Sequence, residues 1–251
     1  MRKLTLTLLL YCVAVAVYAS SEVGLKSVKI NLKDVGALQR GGKYYVNYCM
    51  GCHSLKFVSY SSLAKGLRLE EDQVLKHLMV SWSGKKKIGN YMTVSMSKEQ
   101  GMALFGKLPP DLSTVARSRG TDWLYTYLHS FYEDPKGRFG VNNTLLPGVS
   151  MPHVLVHLQG LQVAKFKKVV SRVGNSEVTK SVFEKFEPKE KGILSPAEYD
   201  AMTKDLVTFL AYVGEPAKLE RQALGVWVIL FMLVFTGIAY LLKKEYWRDV
   251  H

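Results

Sequence analysis

Cysteine is scarce in this sequence. Its 251 residues contain three cysteines, and two of them, Cys49 and Cys52, lie close together in the stretch NYCMGCHSLKFVS. A zinc ribbon needs a second pair of Cys or His ligands at a comparable spacing, and no cysteine follows Cys52. The shortage excludes a structural zinc site of this kind and leaves the two neighbouring cysteines to be explained.

Acidic residues are also in short supply. The chain has 34 Lys and Arg against 21 Asp and Glu, which gives a formal net charge of +13 at pH 7. Much of the excess lies at residues 85–87 and 165–191. The two chain ends indicate export and a membrane anchor, so we do not expect nucleic acid to be a partner. The basic excess is interpreted as a solvated face, or as attraction to anionic lipid or an acidic partner protein.

The N-terminal end carries an apolar run that lacks charge. Residues 1–19 combine Arg2 and Lys3 with the run LTLLLYCVAVAV and a small-x-small cleavage pattern, which is typical of a secretory signal peptide. The run is shorter than the roughly 20 residues that a spanning helix needs, which argues against a membrane anchor here. We therefore expect cleavage, with the loss of Cys12.

A second charge-free run lies near the C-terminal end. Residues 223–242 are long enough to cross about 30 Å of hydrocarbon as one helix, and a helix that is apolar on every side does not fit a soluble core. Lys243 and Lys244 follow directly, and positive charge tends to stay on the cytoplasmic side. We expect residues 20–220 to form a periplasmic domain and residues 221–251 to form a transmembrane anchor with a short cytoplasmic tail.

The two neighbouring cysteines belong to the motif Cys49-x-x-Cys52-His53. Two thiols at this spacing lie on one side of a helical turn, where each can add to one haem vinyl group, and the adjacent imidazole can reach the iron. A redox-active CxxC pair is the alternative, but it expects a preceding strand, whereas the pattern before Cys49 indicates a helix capped near Asn31. We predict one covalently attached haem c, with His53 as the proximal iron ligand.

An electron-transfer haem takes a second protein ligand, whereas a haem for ligand chemistry keeps an open position. Met151 lies in LLPGVSMPHVL, where two prolines and a glycine force a loop that can hold a ligand across the haem face. Met96 and His153 are the rival candidates, and core filling is the alternative role for any single methionine. The loop favours Met151 as the second iron ligand.

Capping signals and periodicity predict a mainly α-helical domain. Ser195 and Glu198 form a capping box with a proline between them, and this box starts the clearest helix. Ser97 starts another helix in the same way, and a third is expected over residues 121–133. Residues 162–187 alternate Val and Phe with Lys, which predicts a β-hairpin inserted into the helical domain.

These pieces resemble the bacterial form of the cytochrome c1 family, the haem subunit of the quinol:cytochrome c oxidoreductase (bc1) complex. The matching stretches are YCMGCHSLKFVSY, LPPDLSTVARSRG, PGVSMPHVL, DLVTFLAYVGEP and the apolar C-terminal run. All c-type cytochromes share CxxCH, whereas PPDLS with its following arginines and the Met-Pro loop are more specific. The resemblance implies thioether bonds at Cys49 and Cys52 and axial ligation by His53 and Met151.

The resemblance also implies roles for residues around the haem. Pro110 would pack by the haem edge, Arg119 would pair with a haem propionate, and Trp123 would lie near that propionate. Arg117 is a rival for the role of Arg119. An arginine suits a buried carboxylate because its planar guanidinium donates charge-assisted hydrogen bonds.

The implied function is that of an electron carrier in a respiratory chain and not of an enzyme on its own. It would take electrons from a Rieske iron-sulphur protein, lie beside a cytochrome b subunit in the bacterial inner membrane, and deliver to a cytochrome c. The best-known members receive a basic cytochrome c on an acidic face, so the basic charge of this chain leaves its acceptor open.

Two other functions remain as alternatives. One is another tethered c-type cytochrome, such as an oxidase subunit. The other is an exported thiol-disulfide oxidoreductase. A peroxidase is disfavoured because a second CxxCH is missing.

Overall fold

A computed structural model of the chain describes residues 24–79, 86–94, 96–173 and 176–249. The predicted signal peptide at residues 1–19 lies outside these ranges. The described helices, in chain order, are α1 (Val35–Tyr48), α2 (Tyr60–Leu67), α3 (Glu71–His77), α4 (Lys98–Phe105), α5 (Val115–Arg119), α6 (Thr121–His129), α7 (Val156–Gln159), α8 (Pro196–Gly214) and α9 (Lys218–Tyr246). The described strands form three antiparallel pairs, which are β1 (Leu55–Ser59) with β2 (Tyr91–Met92), β3 (Phe131–Glu133) with β4 (Val141–Asn143), and β5 (Gly160–Val173) with β6 (Ser176–Lys191).

Helix α8 lies at the centre of the core and packs along α1, α5 and α6. It begins as predicted, because Ser195 caps it, Glu198 completes the capping box and a proline occupies the first turn. Gly41 of α1 permits the close approach to α8, since a Cβ there would overlap the carbonyl oxygen of Asp205 and the side chain of Phe209. The helix that leads into the CxxCH motif is therefore held directly against the best-specified helix of the domain.

Helix α1 begins later than the sequence suggested. Its N-cap is Asp34, whose carboxylate accepts a hydrogen bond from the backbone N–H of Ala37 over 3.0 Å. Asn31 instead accepts the N–H of Asp34 at its carbonyl oxygen and the N–H of Lys33 at Oδ1. Asn31 thus forms the turn before the helix, because the sequence offers two capping residues and the later one satisfies the first-turn N–H.

Helix α6 ends at His129 and does not reach Glu133, as the sequence had suggested. The N–H of Ser130 donates to the carbonyl of Tyr127, and the buried amide of Asn143 donates to that same carbonyl from Nδ2 over 2.9 Å. The following residues then pair with β4 in an antiparallel ladder. The helix stops early because a distant strand satisfies the backbone groups that a further turn would have used.

The predicted β-hairpin is present and extends beyond residues 162–187 at both ends, as β5 paired with β6. Its base is fixed to the helical body by Gln162, whose Nε2 donates to the carbonyls of His129 over 2.9 Å and Phe131 over 2.6 Å. Residues 174–175, which fall between the two strands in the sequence, lie outside the described ranges. Helices and an inserted hairpin are therefore both part of this fold.

The C-terminal helix α9 is longer than the predicted residues 223–242. It has 29 residues, an apolar window of mean hydropathy 2.4 and no part of that window buried against the rest of the chain. Among the described residues it is the single helix long and apolar enough to cross a membrane. A helix with apolar side chains on every side and no protein partner needs an apolar environment, which a bilayer supplies.

Candidate functional site

One cavity is lined by the site residues that were predicted from the sequence. It has a volume of about 350 Å³ and is lined largely by apolar side chains from α1, α4, α5, α6, α8 and the loops that follow α1, α4 and β4. This size and character are typical of a cofactor pocket. Every predicted site residue lines it, namely Cys49, Cys52, His53, Pro110, Arg119, Trp123 and Met151.

The CxxCH motif occupies a turn that continues α1. Cys49 caps the helix, and its carbonyl accepts the N–H of Cys52 over 3.1 Å and the N–H of His53 over 2.9 Å. The hydroxyl of Tyr45, a buried residue of α1, donates to the carbonyl of His53 over 2.5 Å. These hydrogen bonds hold the two thiols and the imidazole together at the wall of the cavity.

The environment of the thiols opposes redox chemistry by the cysteines themselves. Burial raises the pKa of Cys49 to about 12, and the neighbouring Cys52 adds to this increase. Burial also raises the pKa of Cys52. Because a reactive dithiol requires a thiolate of lowered pKa, this site does not fit a thiol-disulfide oxidoreductase.

The imidazole of His53 is oriented by a hydrogen bond from Nδ1 to the carbonyl oxygen of Pro110, over 2.7 Å. A carbonyl oxygen only accepts, so Nδ1 carries the proton. Burial lowers the pKa of His53, although the bond to Pro110 opposes this decrease. The ring is therefore neutral with its lone pair on Nε2, the form that binds a metal.

The PPDLS segment that carries Pro110 is fixed against the residues after the CxxCH motif. The N–H of Leu112 donates to the carbonyl of Ser54 over 2.9 Å, and the carboxylate of Asp111 accepts the N–H of Lys56 over 2.9 Å. Two stretches that are distant in sequence thus run side by side. This pairing gives a structural reason for the joint presence of both motifs.

The two candidate arginines have different positions. Arg119 lines the cavity, with its guanidinium carbon 5.0 Å from the ring centre of Trp123, a cation-π contact. Arg117 instead packs its side chain near Gly214 of α8. Arg119 is therefore the arginine that can meet an anionic group in the cavity.

Met151 reaches the cavity from the loop between β4 and α7. Two asparagines shape this loop, since Asn142 accepts the N–H of Gly148 and the buried Asn143 accepts the N–H of Leu145, each over 2.9 Å. Gly148 has φ of +73°, a left-handed conformation that favours glycine. The sulfur of Met151 accepts a hydrogen bond from the hydroxyl of Tyr127 over 3.5 Å.

The rival ligands lie elsewhere. The sulfur of Met96 packs beside Gly101, at 3.7 Å from the position a Cβ would take there. His153 is buried and stacks on Phe131, with ring centres 4.9 Å apart. Neither residue is part of the cavity wall formed by the described ranges.

Several residues of the site were not predicted from the sequence, namely Tyr127, Asn142, Asn143, Leu206 and Leu210. Tyr127 lies one helical turn after Trp123, a spacing that could have indicated a shared face. Paired asparagines close to a Pro-Gly loop are a turn signal, but such a signal does not reveal what the loop approaches.

The donor set fits a covalently held haem. The cavity wall offers two thiols, a neutral imidazole with a free lone pair, a thioether and a guanidinium among apolar side chains. Leu108 and Leu146 line the cavity and are 45% and 42% exposed, so part of the cavity wall meets the surface. Groups of these kinds would hold a covalently attached haem.

Comparisons with known proteins show the family to which the chain is similar. A family model described as the Cytochrome C1 family matches residues 29–163 and 181–250. Cytochrome c1 of Allochromatium vinosum is 45% identical over 252 residues, with 100% of both chains covered. A Nitrosomonas europaea protein named ammonia monooxygenase gamma subunit is 39% identical over 251 residues, with 100% of this chain and 99% of that protein covered. Cytochrome c1 of Rhodospirillum rubrum is 27% identical over 237 residues, covering 86% of this chain and 83% of the relative.

The internal stretch that the family model leaves unmatched, residues 164–180, falls within the β5–β6 hairpin. The cavity and the C-terminal helix both lie within the matched residues. The chain therefore belongs to the cytochrome c1 family, whose members bind covalently attached haem c.

Proposed function

We propose that this chain is the mono-haem electron-transfer subunit of a quinol:cytochrome c oxidoreductase (bc1) complex. In this role it takes one electron at a time from a Rieske iron-sulphur protein and passes it to a cytochrome c acceptor of a respiratory chain. The observation that carries the proposal is the meeting of Cys49, Cys52, His53 and Met151 at one apolar cavity. Membership of the cytochrome c1 family supports it.

Four side chains hold the haem in this proposal. Cys49 and Cys52 form the thioether bonds, His53 offers Nε2 to the iron, and Met151 offers its sulfur. When bound, the haem supplies a one-electron couple, and a methionine ligand raises its reduction potential. Because His53 and Met151 would both hold the iron, the site would transfer electrons and would leave no open position for a substrate.

Three wall residues complete the proposed site. Pro110 orients the imidazole through its carbonyl oxygen. Arg119 pairs with a haem propionate, because a guanidinium forms charge-assisted hydrogen bonds with a carboxylate. The ring of Trp123 contacts the guanidinium of Arg119 through a cation-π interaction and helps to hold it in place. The apolar remainder of the wall keeps water away from the iron ligands, which favours a high potential.

We further propose the topology of the chain. Residues 1–19 are a cleaved signal peptide, residues 20–220 form a periplasmic c-type cytochrome domain, and residues 221–251 form the anchor and a cytoplasmic tail. The unpartnered apolar surface of α9 supports insertion into the inner-membrane bilayer, beside a cytochrome b subunit. Protease added to spheroplasts is expected to digest the haem domain, and full protection of that domain would contradict this topology.

The proposal is tested on the full chain, purified from membranes in mild detergent through a C-terminal tag. We expect reduced-minus-oxidised spectra of a c-type haem that stays with the polypeptide after acid-acetone extraction. The double variant Cys49→Ser, Cys52→Ser is expected to lose this covalent haem. A colourless wild-type protein, or haem that is extracted, would contradict haem attachment.

The partners that copurify distinguish the remaining alternatives. A b-type haem protein together with an iron-sulphur protein is expected for the bc1 role. Copurification with terminal oxidase subunits would indicate another tethered cytochrome. Copurification with the subunits of a monooxygenase would indicate the assembly that the name of the Nitrosomonas europaea relative suggests for that protein.

A further inference from the structure

The hydroxyl of Tyr127 donates a hydrogen bond to the sulfur of Met151, and both residues line the cavity. We propose that this hydrogen bond makes Tyr127 a positioning residue that acts through the Met151 sulfur and raises the reduction potential of the haem. The inference rests on the proposed function, because it requires Met151 to be an iron ligand.

The ring of Tyr127 is held firmly enough to aim its hydroxyl. It stacks on Trp123 with ring centres 5.0 Å apart and 9° between the planes. The ring of Tyr127 also makes an edge-on contact with the ring of Phe131, with ring centres 5.2 Å apart. A phenol that is fixed between two aromatic neighbours loses little further entropy when it donates to the sulfur.

The backbone of Tyr127 is joined to the loop that presents Met151. The amide of the fully buried Asn143 donates to the carbonyl of Tyr127 over 2.9 Å. Its Oδ1 accepts the N–H groups of Leu145 and Leu146 over 2.9 and 3.2 Å. The side chain of Asn143 thus links the backbone of Tyr127, through three hydrogen bonds, to the start of the loop that carries Met151.

The sign of the effect follows from the chemistry of a thioether. Its sulfur has two lone pairs, so one can bind the iron while the other accepts the phenol hydrogen. The hydrogen bond draws electron density from the sulfur and weakens its donation to the iron. This weaker donation destabilises the ferric state more than the ferrous state. Since hydrogen bonds to the ligands are among the groups that set a haem potential, Tyr127 is expected to raise it.

The chain contains a matched control. The hydroxyl of Tyr60 contacts the sulfur of Met50 at 3.8 Å, and both residues are buried. Met50 is not among the described residues that line the cavity. Tyr60→Phe therefore removes the same kind of contact from a sulfur that is not proposed to bind iron.

The experiment compares the full-length haem protein with its Tyr127→Phe and Tyr60→Phe variants. Redox titration gives the potential, and the weak sulfur-to-iron charge-transfer absorption of the ferric protein reports methionine ligation. We expect Tyr127→Phe to retain this absorption and to shift the ferric-to-ferrous equilibrium by about two- to tenfold towards ferric iron, the range of one hydrogen bond. At about 59 mV per tenfold change for a one-electron couple, this is a decrease of about 20 to 60 mV.

A second measurement follows the displacement of Met151. Added imidazole should bind the ferric Tyr127→Phe protein less tightly than it binds the wild type or Tyr60→Phe, because the sulfur donates more strongly to ferric iron once the hydrogen bond is removed. Site-specific replacement of Tyr127 by a fluorinated tyrosine strengthens the donor and keeps the ring, so the potential should increase. The fluorinated variant also tests the role of Tyr127 if Tyr127→Phe does not assemble. An unchanged reduction potential in the fluorinated variant would overturn the inference.

The outcomes separate this inference from the proposed function. If the wild type lacks the charge-transfer absorption, Met151 ligation fails and the inference is overturned with it. If the wild type has that absorption but Tyr127→Phe matches Tyr60→Phe in potential and imidazole binding, the role of Tyr127 is overturned and Met151 ligation stands.

Discussion

Nδ1 of His53 and the carbonyl oxygen of Pro110 are joined by a hydrogen bond of 2.7 Å across 57 positions of sequence. The bond leaves the lone pair of the imidazole on Nε2. It also makes the orientation of the proposed iron ligand depend on the PPDLS segment, whose backbone must stay in place for the carbonyl to face the ring.

Asp111 is expected to hold that segment. Its carboxylate accepts the N–H of Lys56 over 2.9 Å and the N–H of Ser113 over 3.0 Å, so Asp111→Ala leaves two N–H groups without their partner. We expect the free energy of unfolding to fall by about 1–3 kcal/mol, measured by denaturant titration of the detergent-solubilised chain. Asp111→Asn keeps one acceptor oxygen and serves as the control, with a smaller loss expected. Equal losses in both variants would show that charge, and not hydrogen bonding, is what matters.

Met151→Leu should leave the haem covalently attached and remove its sulfur ligand. The reduction potential should then decrease, because a methionine ligand raises it, and carbon monoxide should bind the reduced protein at the vacated position. Redox titration and the carbon monoxide difference spectrum measure both effects. Met96→Leu is the control and should behave as the wild type, since Met96 packs beside Gly101. An unchanged potential in Met151→Leu would show that another residue is the ligand.

Asn143→Ala should loosen the loop that presents Met151. The variant loses one donor bond to Tyr127 and two acceptor bonds from Leu145 and Leu146 at a fully buried site. We expect a loss of about 2–4 kcal/mol in the free energy of unfolding and easier displacement of the sulfur by imidazole.

The control for this change is Asn47→Ala, which alters an exposed asparagine of α1 close to the CxxCH motif. It should affect neither stability nor imidazole binding. Comparable imidazole affinity in Asn143→Ala and the wild type would mean that the loop is held by other contacts.

Gly41→Ala should separate α1 from α8. The added methyl group would meet the backbone carbonyl of Asp205, which cannot move without shifting the helix. We expect a loss of about 1–3 kcal/mol, the usual cost of overpacking, seen as a lower melting temperature by circular dichroism. Gly36→Ala in the same helix meets only the ends of the flexible Arg40 and Asp34 side chains. It should be neutral or stabilising, because alanine favours a helix by about 1 kcal/mol over glycine.

Several features of the chain depend on short-range chemistry and could be predicted. The CxxCH motif places its thiols and imidazole within one turn, and the structure keeps them together at the cavity. The capping boxes at Ser97 and Ser195 start helices as expected, since each box joins residues three positions apart. The C-terminal apolar helix is recognisable because its length and composition alone make it a membrane-span candidate.

Other local expectations were wrong where a distant partner intervened. Helix α6 ends at His129 because β4 and the amide of Asn143 satisfy its last backbone groups, and nothing in the sequence around Pro135 indicates this. The start of α1 was misplaced for a local reason, because Asp34 caps the helix and Asn31 forms the turn before it.

The sequence by itself thus determined the haem-attachment motif, the candidate membrane helix, the hairpin and the main helices, because each follows from composition, periodicity or contacts within a few residues. The tertiary structure alone decided that Arg119 and not Arg117 lines the cavity, and that Met151 and not Met96 or His153 does so. It alone joined Tyr127 to Met151, which lie 24 positions apart. These contacts depend on how α6, α8 and the loops pack, and packing is a property of the whole chain that no local pattern encodes.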